Sequence, residues 1–141
     1  MTEEQMKCLY CGNKQLLDEL MIKIADLDVS TLYLFREQSH PGRRVVAYKV
    51  HVNEQFDIPE EEFVRFMADV RRTAIAIKKA FSPAKVNWGA YSDTLRHAHW
   101  HIVPKYEGEF EWGGVFAMNP KQPYLTDEQY AEYIEKIRQN L

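Results

Sequence analysis

The segment His97-Ala98-His99-Trp100-His101-Ile102-Val103 places three of the chain's five histidines at alternate positions. An extended backbone sends successive side chains to opposite faces. Extended through this run, His97, His99 and His101 form one row, and Ala98, Trp100 and Ile102 form an apolar wall. Neighbouring rings in such a row stand roughly 6.5–7 Å apart. Imidazole changes charge near neutral pH, and its two nitrogens suit it to act as nucleophile, proton donor or metal ligand. A strand face that was merely polar would gain nothing from three like titratable groups side by side.

Both cysteines lie together in Cys8-Leu9-Tyr10-Cys11-Gly12. Two thiols separated by two residues suit a redox pair or half of a tetrahedral metal site, with unmetallated thiols as the plainer alternative. Gly12 suits the tight turn of a zinc knuckle. A structural zinc takes four ligands, so two histidines from elsewhere would have to complete the set.

The elements that must position these groups follow from patterning and turn signals. Residues 13–20 read as a short helix, and 21–25 and 31–35 as strands about a polar turn. Ser39-His40-Pro41-Gly42 is a turn, and 43–51 reads as a long strand. An acidic start at Ile58-Pro59-Glu60-Glu61-Glu62 opens a helix that runs to about Phe81. Its buried face is marked by Phe63, Phe66, Met67, Val70, Ala74 and Ile77. Residues 85–91 read as a strand, followed by a turn opened by Asn87 and by the histidine strand, 97–104. A loop over 107–123 precedes a helix from the cap at Thr126 to about Asn140. Short turns between sequential strands favour an antiparallel sheet of about five strands with helices packed on it, an α+β fold.

The 141 residues, 45% hydrophobic and 28% charged, fit one domain over 1–141, with a core at 8–106 and a loop and helix at 107–141. No apolar run has membrane-spanning length and no leader is evident, so a cytoplasmic protein with no membrane partner is expected. The formal net charge of −3 argues against bulk capture of nucleic acid, but leaves room for a locally positive pocket.

The histidine run, with its alternating apolar residues, resembles the signature of the histidine triad (HIT) family of nucleotide hydrolases and transferases. Flanking segments are similar too. Pro41-Gly42 precedes a strand that ends Lys49-Val50-His51, with Tyr48 where a second proline is usual, and Pro104-Lys105-Tyr106 follows the triad. The Cys-x-x-Cys is similar to that of zinc-containing bacterial members, and the Arg43–Val46 strand is similar to the diadenosine-polyphosphate-hydrolase-like branch. The resemblance implies a HIT-like fold, a homodimer, and a structural zinc on Cys8, Cys11, His51 and His97. His40, a rival ligand, is expected to be a solvated turn residue.

The same resemblance makes His99 the nucleophile toward the α-phosphorus of a nucleoside phosphoramidate or dinucleoside polyphosphate, through a nucleotidyl-histidine intermediate. It places His101 against a phosphate oxygen or the leaving atom, helping to protonate it. Asn87 and Thr94 would donate to phosphate oxygens, or else simply close their turn. The residue that usually holds the ribose hydroxyls falls at Phe35, so Glu37 or Gln38 is expected to replace it. Further departures are Ser92-Asp93 in place of Gly-Gln, and Gly42-Arg43 in place of Gly-His. Arg96 has the wrong parity to face phosphate. Trp88, Trp100 and Trp112-Gly113-Gly114 are candidates for the dimer interface. His101, in place of the transferase branch's glutamine, favours hydrolysis. The alternatives are a nucleotide-binding sensor with little turnover, a redox protein using Cys8 and Cys11, and an open metal site using the triad with Asp93.

Overall fold

The computed structural model describes residues 1–141. Two short helices open the chain, α1 (Glu3–Lys7) and α2 (Lys14–Leu20). Strands β1 (Met21–Asp26), β2 (Ser30–Phe35) and β3 (Arg44–Tyr48) follow, then the long helix α3 (Glu60–Phe81). Strands β4 (Lys85–Gly89) and β5 (His99–Lys105) precede the last helix, α4 (Asp127–Gln139). The five strands form one sheet in the order β1-β2-β3-β5-β4, and every pairing is antiparallel. The fold is α+β, and no helix is long and apolar enough to cross a membrane.

Register divides the side chains between two faces. Val45 lies opposite His101 and Ala47 opposite His99. Cross-strand partners share a face, so these residues flank the histidine row. Leu9, Met21, Tyr33, Phe35, Val45 and Ala47 form a small apolar cluster there. The other face carries the main core, where Leu32, Leu34, Val46 and Ile102 pack with Phe66, Val70 and Ile77 of α3 and Ile134 and Ile137 of α4. Strand β3, buried on both faces, is apolar at Val45, Val46 and Ala47 in succession rather than alternating.

Side-chain hydrogen bonds tie these layers together. Asp69 of α3 is buried and accepts from the backbone N–H of Val29 at 2.9 Å and the hydroxyl of Ser30 at 2.7 Å, which fixes the β1–β2 turn on the helix. Thr2 and Gln5 form a reciprocal cap on α1, a helix the sequence reading did not anticipate.

Two expectations about local structure are corrected. The histidine strand begins at His99 rather than His97, because Ala98 N–H donates to the carbonyl of Val52 and the β3 partner strand ends at Tyr48. Asn87 sits in the middle of β4 opposite Val103, and the turn starts after Gly89.

Candidate active site and metal centre

The metal-type cluster is assembled from three places in the chain. Cys8 and Cys11 come from the knuckle after α1, His51 from the segment after β3, and His97 from the bend before β5. The knuckle is closed by the N–H groups of Cys11, Gly12 and Asn13, all donating to the carbonyl of Cys8. A Cβ at Gly12 would fall 2.7 Å from the Cα of Met6, so this turn admits only glycine.

The four donor atoms lie within 4.8 Å of one another. Cys8 Sγ is 3.5 Å from His97 Nδ1, Cys11 Sγ is 3.4 Å from it, and Cys11 Sγ is 3.5 Å from His51 Nδ1. The two Nδ1 atoms are 3.3 Å apart. A tetrahedral zinc has bonds of about 2.3 Å to sulfur and about 2.0–2.1 Å to nitrogen. Two such nitrogens then sit roughly 3.3–3.4 Å apart, and a sulfur–nitrogen pair roughly 3.5–3.6 Å apart. The cluster has those dimensions.

The outer contacts fit as well. His97 Nε2–H donates to the carbonyl of Tyr48 at 2.7 Å, which leaves Nδ1 with its lone pair toward the cluster. Burial pushes the His97 pKa down to about 4, so its ring is neutral and able to ligate. Burial and the neighbouring Cys8 push the Cys11 thiol up to about 11. That shift is opposite to what a nucleophilic redox thiol needs, whereas a bound cation would reverse it.

The rest of the row lies outside the four-residue cluster. His99 Nδ1–H donates to the carbonyl of His97 at 2.6 Å, with the Ser92 hydroxyl oxygen 3.2 Å from the same nitrogen. Nε2 of His99 is therefore the nitrogen with the free lone pair. Burial holds the His99 pKa below the usual imidazole value. The rings of His99 and His101 meet edge to face at 5.2 Å. Tyr10 of the knuckle lies across both His97 and His99, with ring centroids at 5.0 and 5.5 Å.

Ser92 has a left-handed backbone, φ 63°. This is the position where glycine was the expected type, and the structure keeps the glycine-like conformation while using the hydroxyl. Ser92 also lines a cleft of about 430 Å³ with Asn53, Tyr91 and Arg96, a size within the roughly 300–1,000 Å³ of small-ligand sites. Arg96 lies on this cleft together with the acidic Glu54 and Asp93, and none of the triad histidines lines it.

His101 has a partner that the sequence reading missed. Arg43, only 1% exposed, donates from Nη2 to His101 Nδ1 at 3.2 Å. The same guanidinium donates to the carbonyls of Ala117 and Met118, both at 2.8 Å. It lies over the Phe35 ring at 4.5 Å and the Phe116 ring at 5.1 Å. Burial first, then the Arg43 charge, holds the His101 pKa down to about 3.

The loop after β5 is thus folded back over the site. Lys105 Nζ donates to the carbonyls of Glu111 and Gly114, and His40 Nε2 meets Glu111 Oε1 at 2.7 Å. His40 is buried rather than solvated, because this loop covers its turn.

The other expected site residues are placed unequally. Asn87 shares the face of His101, one step of the pleat beyond Gly89, and lines a cleft of about 580 Å³ with Tyr91 and Phe116. Thr94 is exposed in the bend over 93–95. Gln38 is buried and consumed by its own loop: its amide donates to the carbonyls of Phe35 and Arg43, and its oxygen accepts from Gly42 N–H at 2.8 Å. Glu37 is also buried, accepts from Ser39 N–H, and pairs its backbone with Tyr124. Both amide donors of Gln38 are thus engaged within its loop, and Phe35 packs on Arg43 and edge-on to His101 at 6.1 Å.

Comparison with known proteins bears on the fold and the family. An uncharacterized HIT-like protein of Methanocaldococcus jannaschii is 27% identical over 109 residues, covering 74% of this chain and 83% of that protein. A histidine triad protein of Sinorhizobium meliloti has a similar structure, with TM-score 0.83 and 22% identity over 90% of this chain and 94% of the other. A zinc-bound histidine triad family protein of Mycobacterium smegmatis matches with TM-score 0.67 and 23% identity over 96% of each chain. The family model described as the HIT domain matches residues 23–108, more than half of the sequence, and the chain belongs to that family.

Proposed function

We propose that the protein is a nucleotide hydrolase that cleaves at the α-phosphate of dinucleoside polyphosphates or nucleoside phosphoramidates, with His99 as nucleophile. The observation that carries this reading is the hydrogen bond from His99 Nδ1–H to the His97 carbonyl. It fixes the tautomer and points the Nε2 lone pair away from the backbone, while burial keeps the ring neutral. Nε2 attacks the α-phosphorus, a nucleotidyl-histidine forms, and water then cleaves it. The charge that develops on Nδ1–H in the intermediate is met by the carbonyl. His101 Nε2–H donates to a phosphate or leaving-group oxygen, and Asn87, on the same face, is placed to donate as well.

Cys8, Cys11, His51 and His97 are assigned as ligands of a structural zinc, supported by the cluster's dimensions and by the zinc-bound structural relative. Bound there, zinc would neutralise the thiolates and hold the His97 ring and carbonyl still; with four protein ligands it leaves no position for substrate. Strand β4 is a sheet edge and carries the exposed Trp88, which supports a homodimer formed through that edge. A cytoplasmic location is part of the same proposal.

His99→Ala tests the reading. The variant should lose AMP release from diadenosine tetraphosphate and adenosine phosphoramidate while retaining AMP affinity within about threefold. Turnover in that variant, measured by chromatography, would refute the assigned nucleophile. Tight AMP binding by a wild-type protein that turns over neither substrate would favour the sensor reading instead.

A further inference from the structure

We propose that Arg43 sets the substrate class of this site. By holding Nδ1 of His101 with a guanidinium N–H, it commits His101 to a neutral hydrogen-bond donor. The site then favours substrates whose leaving group departs as a stable anion, the phosphate of a nucleoside polyphosphate, over the amine of a phosphoramidate. This inference rests on the hydrolase reading above.

The argument is geometric. A guanidinium offers only N–H groups. The His101 nitrogen that faces Arg43 must therefore present its lone pair, and the ring proton must sit on Nε2. Arg43 cannot swing away to admit a second proton at Nδ1. Its Nη1 is held by the Ala117 carbonyl and its Nη2 by that of Met118. Its Cζ also lies over the Phe35 ring at 4.5 Å and the Phe116 ring at 5.1 Å. Phe116 in turn lies against Gly89, the residue paired with His101 across the sheet. A Cβ at Gly89 would fall 2.6 Å from Phe116 Cζ, so glycine there makes room for the ring. Burial and the Arg43 charge act in the same direction on the imidazole.

The consequence differs between leaving groups. With a polyphosphate, the His99 Nε2–P bond forms as the P–O bond breaks. The electron pair stays on the departing phosphate oxygen, which is stable at neutral pH without a proton, and a hydrogen bond from His101 Nε2–H is enough. With a phosphoramidate, the pair would remain on nitrogen as an amide anion, so the nitrogen needs a proton as the P–N bond breaks. A neutral imidazole giving up Nε2–H would become an imidazolate, and no imidazolium stands there to supply the proton. General-acid help of this kind is worth about 10²–10⁴-fold where it operates.

The test compares kcat/KM for diadenosine tetraphosphate and an alkylamine adenosine phosphoramidate at pH 7, using the full chain and Arg43→Met. The wild-type protein should favour the polyphosphate by about tenfold or more. Arg43→Met, which removes the donor and the charge, should shift that ratio toward the amine by about tenfold, most strongly below pH 6.5. A wild-type preference for the amine, or an unchanged ratio in the variant, overturns the proposal while leaving the hydrolase reading intact. Cleavage of neither substrate removes both. If Arg43→Met does not fold, the ¹⁵N spectrum of wild-type histidines decides. His101 should keep a bare Nδ1 and a protonated Nε2 from pH 5 to 8, and an imidazolium at pH 6 overturns the proposal.

Discussion

Acid should destabilise this fold through the third histidine of the row, and the size of the effect follows from its surroundings. His101 is buried against Arg43, and its pKa falls to about 3, against about 6.5 for an unperturbed imidazole in the unfolded chain. A group whose folded pKa is depressed stays neutral in the native state while the unfolded state takes up a proton. Stability is then full above the unfolded pKa and declines as pH falls through the interval between the two values. The slope is about 1.4 kcal/mol per pH unit below 6.5, so His101 alone should account for about 2 kcal/mol between pH 8 and pH 5. For a chain of 141 residues, an unfolding entropy of roughly 2.1 cal/mol/K per residue converts this to about 7 °C in Tm. The assay is thermal unfolding of wild type and His101→Gln at pH 8 and pH 5. The variant has no imidazole at this position, so its Tm should fall by about 7 °C less. Acid weakening of the metal cluster is common to both proteins and cancels in the difference. Equal falls in Tm would show that His101 takes up its proton in the folded state, and would refute the placement of Arg43 against it.

Two further outcomes are expected. Cys11→Ser should reduce bound zinc from about one per chain to near zero and lower Tm steeply, since structural zinc sites contribute about 10–16 kcal/mol in peptides against total domain stabilities of about 5–15 kcal/mol; metal analysis with an unchanged melting curve would remove the zinc assignment. At Ser92, a left-handed residue bearing a Cβ costs about 1–2 kcal/mol and glycine's extra unfolded freedom about 0.4–1 kcal/mol, so Ser92→Gly should melt above Ser92→Ala by roughly 0.5–1 kcal/mol while both variants lose the hydroxyl contact to His99 and share a reduced kcat. Equal melting of the two would contradict strain at that residue.

The local pattern of the chain carried most of the architecture. The short run of strand-forming residues over 31–35, the acidic opening of α3 and the cap at Thr126 each encode their element in a few neighbouring residues. The thiol half of the metal cluster was legible from the spacing of Cys8 and Cys11, whereas His51 and His97 were named only through the family resemblance. The start of β5 was read two residues early because alternation persists through His97, whereas the ladder stops where Ala98 turns to Val52. Asn87 looked like a turn residue by type, yet nothing at Lys85-Val86-Asn87-Trp88-Gly89 interrupts the ladder before Ala90. Arg43 was the largest omission. Its side-chain hydrogen-bond partners, apart from His101, are backbone carbonyls at Ala117 and Met118, which any sequence would supply. Thr2 and Gln5 did carry a readable helix-cap signal that was overlooked.

The parts of this site that distinguish it lie on either side of the segment by which the family is recognised. The knuckle cysteines precede residue 23, and the carbonyls that pin Arg43 follow residue 108. A match over residues 23–108 therefore leaves out both the thiol half of the metal cluster and the carbonyls that hold Arg43. If Arg43 sets the leaving group as proposed, an arginine after the Pro-Gly turn together with a returning C-terminal arm is the feature by which relatives would divide.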